Sequence, residues 1–450
     1  MAAAGGAHAH WTSRFAFLMA SVGFAVGLGN IWRFPYIAGE NGGSAFVLIY
    51  LGCVFLIGVP ILMAELMLGR RGNAAPPIAV ARVAAESGRS RHWQWVGGVG
   101  LLTAFAIVVV YSVVVGWVLW YLYKALTTGF AGVDPVLAEA AFVAVQGNNA
   151  GMLLWNLVGL GITWVIIYSG VRDGIERAVT LMMPLMFLLL VGLALFNAFA
   201  DGFAETIAWL LAPDFSRTGF DTVLVAVGQA FFSIGVGMGG MMTYGSYLPR
   251  SFSISQSVLI VAVADTLVAF LAGLVVFPAV FRFGLDPASG EGLIFQTLPA
   301  AFAQMPGGHL FSVLFFTMLA VAGITSMVGF VESINAWINE RFALPRHRSA
   351  SLVIGAVAVL SVLSILSYNV LDALRIAGMN FNGVMNFIAN QIMLPLSGLL
   401  IALFAGWLVA RQYSRDEFST LGARSFGAWY FLIRYLVPPA LLLIFVMGLG

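Results

Sequence analysis

Long runs of apolar residues alternate with short polar segments along the chain, and this pattern predicts a bundle of membrane-spanning helices. A helix needs about 20 apolar residues to cross the hydrocarbon core of a bilayer. Eleven runs are long enough, and they are numbered here as spans 1 to 11. They lie near residues 14–36, 44–68, 95–123, 151–168, 179–198, 222–247, 256–281, 309–338, 350–368, 378–410 and 428–448. The predicted fold class is an all-α polytopic membrane protein in which residues 1–450 form one transmembrane domain.

Span 1 contains a stretch, residues 21–41, that a continuous helix would avoid. Gly23, Gly27 and Gly29 fall close together there, and the charged Arg33 follows. Each glycine destabilises a helix by about 1 kcal/mol relative to alanine, and unwound backbone at membrane depth is tolerated where it is buried in protein or lines a cavity. We interpret span 1 as a broken helix whose free amides and carbonyls face a small polar ligand or an ion. Close helix–helix packing through the glycines is the alternative.

Span 6 is interrupted in the same way, because Gly235, Gly237, Gly239 and Gly240 crowd its middle. Spans 1 and 6 are five spans apart, which divides the chain into one repeat at about 11–200, a second at about 220–410 and an extra helix at about 428–448. Matching breaks in the corresponding spans of two halves indicate an inverted-repeat transporter with its binding site at the midplane. A half-helix N-terminus would offer amides and a positive dipole to a carboxylate.

The composition supports a membrane protein and excludes several other classes. Hydrophobic residues make up 61% of the chain and charged residues only 9%, whereas a soluble domain carries about 25% charged residues. The net charge of +2 gives no reason to expect nucleic acid as a partner. Cys53 is the single cysteine, which excludes an intramolecular disulfide framework. The five histidines lie at ends and in loops without nucleophile–base or metal-ligand spacing, so no enzyme is predicted.

Lysine and arginine are distributed unevenly between the two sides of the predicted bundle. With the N-terminus in the cytoplasm, the inner segments hold Arg14, Arg70, Arg71, Arg82, Arg89, Arg91, Arg172, Arg177, Arg250, Arg341, Arg346, Arg348, Arg411, Arg415 and Arg424. The outer loops hold only Lys124, Arg217, Arg282 and Arg375. Positive residues favour the cytoplasmic side, so we expect a cytoplasmic N-terminus and an outside C-terminus. The absence of N-glycosylation sequons favours a bacterial inner membrane.

Short motifs in this chain resemble the neurotransmitter:sodium symporter family, which includes the LeuT-like amino acid transporters of bacteria. They are NIWRFP at 30–35, ENGG at 40–43, GIER at 174–177, GQAFFSIGVGMG at 228–239 and AGITS at 322–326. Within the family, the number of eleven spans and the residue type of Met238 most resemble the MhsT-like branch, whose members handle bulky hydrophobic amino acids. The resemblance implies the LeuT fold, with a 5+5 inverted repeat and discontinuous helices 1 and 6. It implies sodium-coupled symport of neutral, hydrophobic L-amino acids by alternating access, in a monomer or a weak homodimer in the lipid bilayer.

Other functions on the same scaffold stay open at this point. Another small amine or an osmolyte could be the solute, although Phe24 and Ala25 offer no carboxylate to a ligand that lacks its own. A non-transporting sensor is a further alternative.

The resemblance implies two sodium sites with all-oxygen ligands, which suit a hard cation. The first site would use the Ala25 carbonyl, Asn30, Ser233, the substrate carboxylate and a residue of span 7, where Asp265 is the only acid. Whether Asp265 is a direct ligand or lies one turn away stays open. The second site is implied at Gly23, Val26, Ala322, Thr325 and Ser326. Because a fixed carboxylate beside sodium replaces the chloride that some members bind, no chloride requirement is expected.

The resemblance places the substrate between the two breaks. Its carboxylate would meet the amides of Ala25 and Gly29 and the hydroxyl of Tyr111, and its ammonium would meet carbonyls near Phe232 and Ser233. Its side chain would contact Ile107, Gly235, Met238, Ser326 and Phe330. A methionine or phenylalanine in an apolar span usually packs against its neighbours, so only the resemblance assigns Met238 and Phe330 to the pocket.

Gates and supporting residues are also implied by the resemblance. Arg33, Gln229, Phe232 and Tyr111 resemble an outer gate, but Asn382 or Asn386 occupies the position where the family has an acid in span 10. Trp11, Ser246, Tyr247 and Glu340 resemble an inner gate, with His8 in place of the family's basic residue. Glu65 would accept hydrogen bonds from the unwound segments, and Gly174 and Pro184 would mark a part of span 5 that can unwind.

Overall fold

The computed structural model describes residues 10–199, 201–284 and 292–448. The described residues form helices joined by short non-helical segments, and their only β feature is an isolated bridge between Ile376 and Met379. The continuous spans are Ser44–Gly72, Arg91–Thr127, Asn149–Tyr168, Val171–Asn197, Ile254–Arg282, Gly308–Phe342, Arg346–Leu366, Phe381–Leu408 and Ala423–Met447. They correspond to predicted spans 2, 3, 4, 5, 7, 8, 9, 10 and 11.

Span 1 is broken as predicted. Its first half, Arg14–Ala25, is capped by the Ser13 side chain and ends where Val26 turns to an extended conformation. The second half, Gly29–Glu40, is bent by 49° from the first. Gly27 is required because a Cβ there would lie 2.5 Å from the Ser326 hydroxyl oxygen. The break therefore comes with a close approach between span 1 and span 8.

Span 6 consists of two short helices, Phe220–Ile234 and Gly240–Ser246. The connecting backbone has positive φ at Gly235, Gly237 and Gly239, with values of 72°, 81° and 70°. Residues with a side chain rarely adopt a positive φ, whereas glycine adopts it readily.

The count of eleven spans is not fully reproduced. In the described part of the chain, nine helices are long and apolar enough to cross a membrane, and there are ten when the bent pair of span 1 counts as one. The one predicted span that this count leaves out is the broken span 6, because each of its two halves is too short to cross a membrane.

Spans 3 and 8 form the centre of the bundle. In the most apolar 18-residue stretch of span 8, 83% of the residues are buried, compared with 22% in the corresponding stretch of span 11. Shorter helices connect the spans at the two ends, among them Pro76–Glu86, Pro135–Gly147, Phe203–Leu211 and Arg411–Glu417. We call the two ends of the bundle the Trp11 end and the Arg33 end, after a residue at each.

Candidate functional site

A buried polar cluster lies where the break of span 1 meets spans 6 and 7. The Asn30 amide nitrogen donates to the Ser233 hydroxyl (2.8 Å) and to the Asp265 carboxylate (2.7 Å). Ser233 also donates to the second Asp265 oxygen at 2.7 Å. The Tyr50 hydroxyl lies 2.9 Å from the Ser233 oxygen. The structure therefore brings together three of the four residues predicted for the first sodium site, with the Asp265 carboxylate in direct contact with the other two.

The electrostatics of this cluster are unbalanced. Asn30, Ser233 and Asp265 are fully buried, and no basic side chain of the described residues forms an ion pair with Asp265. An ionised carboxylate buried without a partner is very costly. The cluster thus presents oxygen ligands and one acid without a basic partner, and a bound monovalent cation would compensate the charge of that acid. Clusters of three or more His, Cys, Asp or Glu, as a transition metal would need, are absent from the described residues.

The predicted second sodium site lies at the contact between the span 1 break and span 8. The Ser326 hydroxyl donates to the carbonyls of Gly23 (3.3 Å) and Phe24 (3.4 Å). The Thr325 hydroxyl donates to the Ala322 carbonyl (3.1 Å) within its own helix. A Cβ at Gly23 would lie 3.2 Å from Thr325, so these residues face each other directly. Val26, the remaining predicted ligand, has the extended backbone that ends the first half-helix.

A small cavity between the two breaks collects most of the predicted substrate residues. It is lined by Phe24, Ala25, Gly27, Gly29, Tyr111, Phe232, Gly235, Met238, Ser326 and Phe330. Its volume of about 10 Å³ is at the lower limit for one water molecule. Side chains must therefore move before an amino acid can enter.

Aromatic rings close this cavity from two sides. The Phe330 ring meets the rings of Phe24 and Tyr111 edge-on, at centroid distances of 5.2 and 5.7 Å. The Tyr111 hydroxyl accepts a hydrogen bond from the Leu28 amide at 3.1 Å. Leu28 is absent from the sequence-based prediction, whereas the predicted Ala25 is the last residue of the first half-helix. Leu28 thus supplies an amide in the break that faces Tyr111.

A wider cavity of about 370 Å³ lies next to the small one, on the side of the Arg33 end. Ile107, Asn382 and Asn386 line it together with Arg33. The Arg33 guanidinium lies 4.8 Å from the centre of the Phe232 ring, and no carboxylate of the described residues forms an ion pair with it. This arrangement agrees with the absence of an acid in this part of span 10.

Gln229 of span 6 connects the two broken spans by a hydrogen bond to span 1. Its side-chain amide donates to the Gly29 carbonyl at 3.1 Å, and the residue is fully buried.

The Trp11 end is closed by a network that is wider than the sequence predicts. The Trp11 amide donates to the Tyr247 carbonyl (3.1 Å). The Tyr247 hydroxyl donates to Glu332 (2.9 Å), a buried acid that forms an ion pair with the partly exposed Arg346. Sequence reasoning missed Glu332 and Arg346, although an acid inside an apolar span is itself a signal of function. The predicted Glu340 accepts a hydrogen bond from the Ala75 amide.

Two other gate predictions have different outcomes. The Ser246 hydroxyl donates to the Thr243 carbonyl of its own helix. His8 lies outside the described residues.

The predicted supporting residues lie next to the breaks and at the start of span 5. Glu65 is fully buried and accepts a hydrogen bond from the Gly237 amide at 2.5 Å. Gly174 lies in a π-helical turn, Val171–Glu176, and Pro184 lies inside the helix that follows. Glu176, at the end of this turn, accepts hydrogen bonds from the amide and the hydroxyl of Thr12 at 2.8 and 2.5 Å. The N-terminal segment is thereby attached to the part of span 5 that carries Gly174.

Comparisons with known proteins agree with this architecture. The sequence model of the sodium:neurotransmitter symporter family matches residues 8–133 and 140–449. The uncharacterized sodium-dependent transporter YhdH of Bacillus subtilis is 35% identical over 98% of this chain and 97% of its own. The serotonin transporter of Drosophila melanogaster is 28% identical over 98% and 76%. The crystal structure of MhsT in complex with L-phenylalanine is 35% identical, with a TM-score of 0.91, and the match covers 98% of this chain and 100% of that one.

Proposed function

Because the chain belongs to the sodium:neurotransmitter symporter family and is a sodium-dependent transporter, we propose that it moves neutral, hydrophobic L-amino acids together with two sodium ions. Transport proceeds by alternating access between the two five-span repeats. The protein lies in a bacterial inner membrane with a cytoplasmic N-terminus and an outside C-terminus. It is a monomer or a weak homodimer and needs no chloride.

The observation that carries the proposal is the position of the buried cluster relative to the small cavity. Asn30, Ser233 and Asp265 supply oxygen ligands on one side of the break. Gly29 and the Tyr111 hydroxyl lie on the cavity side. A substrate carboxylate at this boundary would contact both the sodium ion and the break. Sodium and substrate would then stabilise each other, which is the basis of coupling.

The lining of the cavity supports a hydrophobic side chain. Phe24, Met238 and Phe330 present apolar surface, and Met238 can adapt its shape to different ligands. No acidic residue lines the cavity, so a positively charged side chain would have no partner there. MhsT, which has the same fold, is known in complex with L-phenylalanine.

A thermal-shift panel on the purified protein tests the proposal. We would add twenty L-amino acids, betaine and tryptamine, in sodium or potassium, with chloride or gluconate as the anion. We expect bulky neutral amino acids to raise the melting temperature in sodium only, to the same extent with either anion. Glu139→Gln is a suitable control for the later site variants, because Glu139 is exposed and lies in the connecting helix Pro135–Gly147, outside the broken spans.

The panel also tests the second candidate, a solute without its own carboxylate. Stabilisation by tryptamine, or stabilisation that does not depend on sodium, would contradict the assignment of the first sodium site. Stabilisation by betaine alone would retain sodium coupling but change the substrate class to an osmolyte.

A further inference from the structure

Three arginines gather around a stacked pair of aromatic rings at the Trp11 end, between the end of span 10 and the start of span 11. The Phe426 and Tyr430 rings lie 5.9 Å apart and are nearly parallel. Arg411 and Arg415 approach the Phe426 ring at 5.8 and 5.1 Å. Arg411 and Arg434 approach the Tyr430 ring at 5.2 and 5.7 Å. Three positive charges thus share one small aromatic platform.

No acid neutralises these charges in the described part of the chain. The nearest acids in sequence, Asp416 and Glu417, pair with arginines of span 2 and with Arg250 instead. Like charges at this spacing repel each other. The cluster is therefore an electrostatic site for an anion from outside the chain.

The arginines retain hydrogen-bond donors for such an anion. Stacking on a ring occupies the face of a guanidinium and leaves its N–H edge free to bind a phosphate through two parallel hydrogen bonds. Arg415 donates one hydrogen bond, to the Leu421 carbonyl. Arg434 donates one to the Tyr430 hydroxyl, and its buried Nε has no partner among the described residues. No hydrogen bond within the described residues involves the Arg411 guanidinium, which leaves its donors available.

The surroundings are suited to a lipid. An open groove of about 380 Å³ is lined by Arg411, Arg415 and Phe426 together with two smaller side chains. Next to it, Trp407, Phe431 and Tyr435 are 48%, 57% and 52% exposed. Trp407 is the last but one residue of span 10, and exposed tryptophan at the end of a span is typical of the membrane–water interface. The groove therefore lies where a phosphate headgroup meets its acyl chains.

We propose that this groove binds the phosphate of an anionic phospholipid, with the acyl chains packed along Phe431 and Tyr435. Arg411 and Arg415 hold the phosphate oxygens, and Arg434 lies deeper and provides additional positive charge. Clusters of basic residues next to spans attract anionic lipids on the cytoplasmic side. The assignment of the site to the cytoplasmic leaflet rests on the orientation given under the proposed function. The chemistry of the bound lipid does not depend on that orientation.

The test measures lipid binding in detergent, so its result does not depend on transport or on its substrate. Phosphatidylglycerol and phosphatidylcholine with identical acyl chains are titrated into the purified protein, and the melting temperature is recorded. We expect phosphatidylglycerol to stabilise the protein at a lower concentration than phosphatidylcholine. The double variant Arg411→Gln/Arg415→Gln should need at least about tenfold more phosphatidylglycerol, because each arginine near an anionic lipid contributes measurably to binding.

Controls separate this site from general charge and from free anions. Arg89→Gln/Arg348→Gln removes two exposed arginines from the same end of the bundle and should behave like the unchanged protein. Arg411→Lys/Arg415→Lys, which keeps the charge, should recover part of the affinity and so exclude misfolding as the cause. Equal stabilisation by both lipids would overturn the proposal. So would equal stabilisation by soluble glycerophosphate, which would indicate an anion site without a lipid.

Discussion

At the scale of single residues, Asp265 is a fully buried acid that has no basic partner among the described residues. Its carboxylate oxygens accept hydrogen bonds from Asn30 and Ser233, and the Tyr50 hydroxyl lies 3.3 Å away. Hydrogen bonds alone do not compensate a fully buried charge. A sodium ion would compensate it, and the fixed carboxylate would in turn make a bound chloride unnecessary.

Replacing Asp265 should expose this dependence directly. In Asp265→Asn the shape of the side chain is nearly preserved but its charge is lost. In gluconate, the rise in melting temperature that amino acids produce only in sodium should therefore become more than tenfold smaller. Chloride should restore part of it, because a mobile anion can supply the missing negative charge. Thermal shift in both anions measures this, with Glu139→Gln as the matched loss of an exposed charge. Full sodium dependence of Asp265→Asn in gluconate would show that this carboxylate has no part in sodium binding.

At the scale of elements, the glycines of spans 1 and 6 predict both breaks because helix-breaking residues are rare inside spans and therefore informative. The contacts of Tyr50 and Glu332 could not be predicted in this way. A tyrosine is compatible with ordinary packing, and an acid inside a span signals function without identifying its partners. The partners of both residues lie more than 10 residues away in sequence. The connecting helices Pro76–Glu86 and Pro135–Gly147 were also missed, since they are too short to produce a span-length apolar run.

The attachment of the N-terminal segment to span 5 makes an element-scale prediction. Glu176→Gln replaces the charged acceptor of both Thr12 hydrogen bonds, and charge-assisted hydrogen bonds are about twice as strong as neutral ones. We expect amide hydrogen exchange at Thr12 and in the turn Val171–Glu176 to become at least about tenfold faster. Asp173→Asn is the control, because it removes an exposed acid from the same turn. Unchanged exchange in Glu176→Gln would mean that Thr12 does not stabilise the turn.

At the scale of the whole molecule, the number of coupled ions determines how far a solute can be accumulated. A zwitterionic amino acid carries no net charge, so two sodium ions at −100 mV contribute roughly 4.6 kcal/mol. A tenfold sodium gradient adds about 1.4 kcal/mol per ion. Together these terms support accumulation on the order of 10⁵-fold, and one ion would support only about the square root of that.

Ion stoichiometry can be measured in proteoliposomes at zero membrane potential. With a tenfold sodium gradient, two coupled ions should hold net flux at zero when the amino acid ratio is about 100-fold, and one ion when it is about tenfold. Thr325→Val removes a hydroxyl from the proposed second site and should lower the ratio towards the one-ion value. Thr317→Val is the matched control, because the Thr317 hydroxyl bonds within the same span as the Thr325 hydroxyl does, but Thr317 is not part of the proposed second site. A ratio near tenfold for the unchanged protein would leave the contact between Gly23 and Thr325 as helix packing, with coupling confined to the site that contains Asp265.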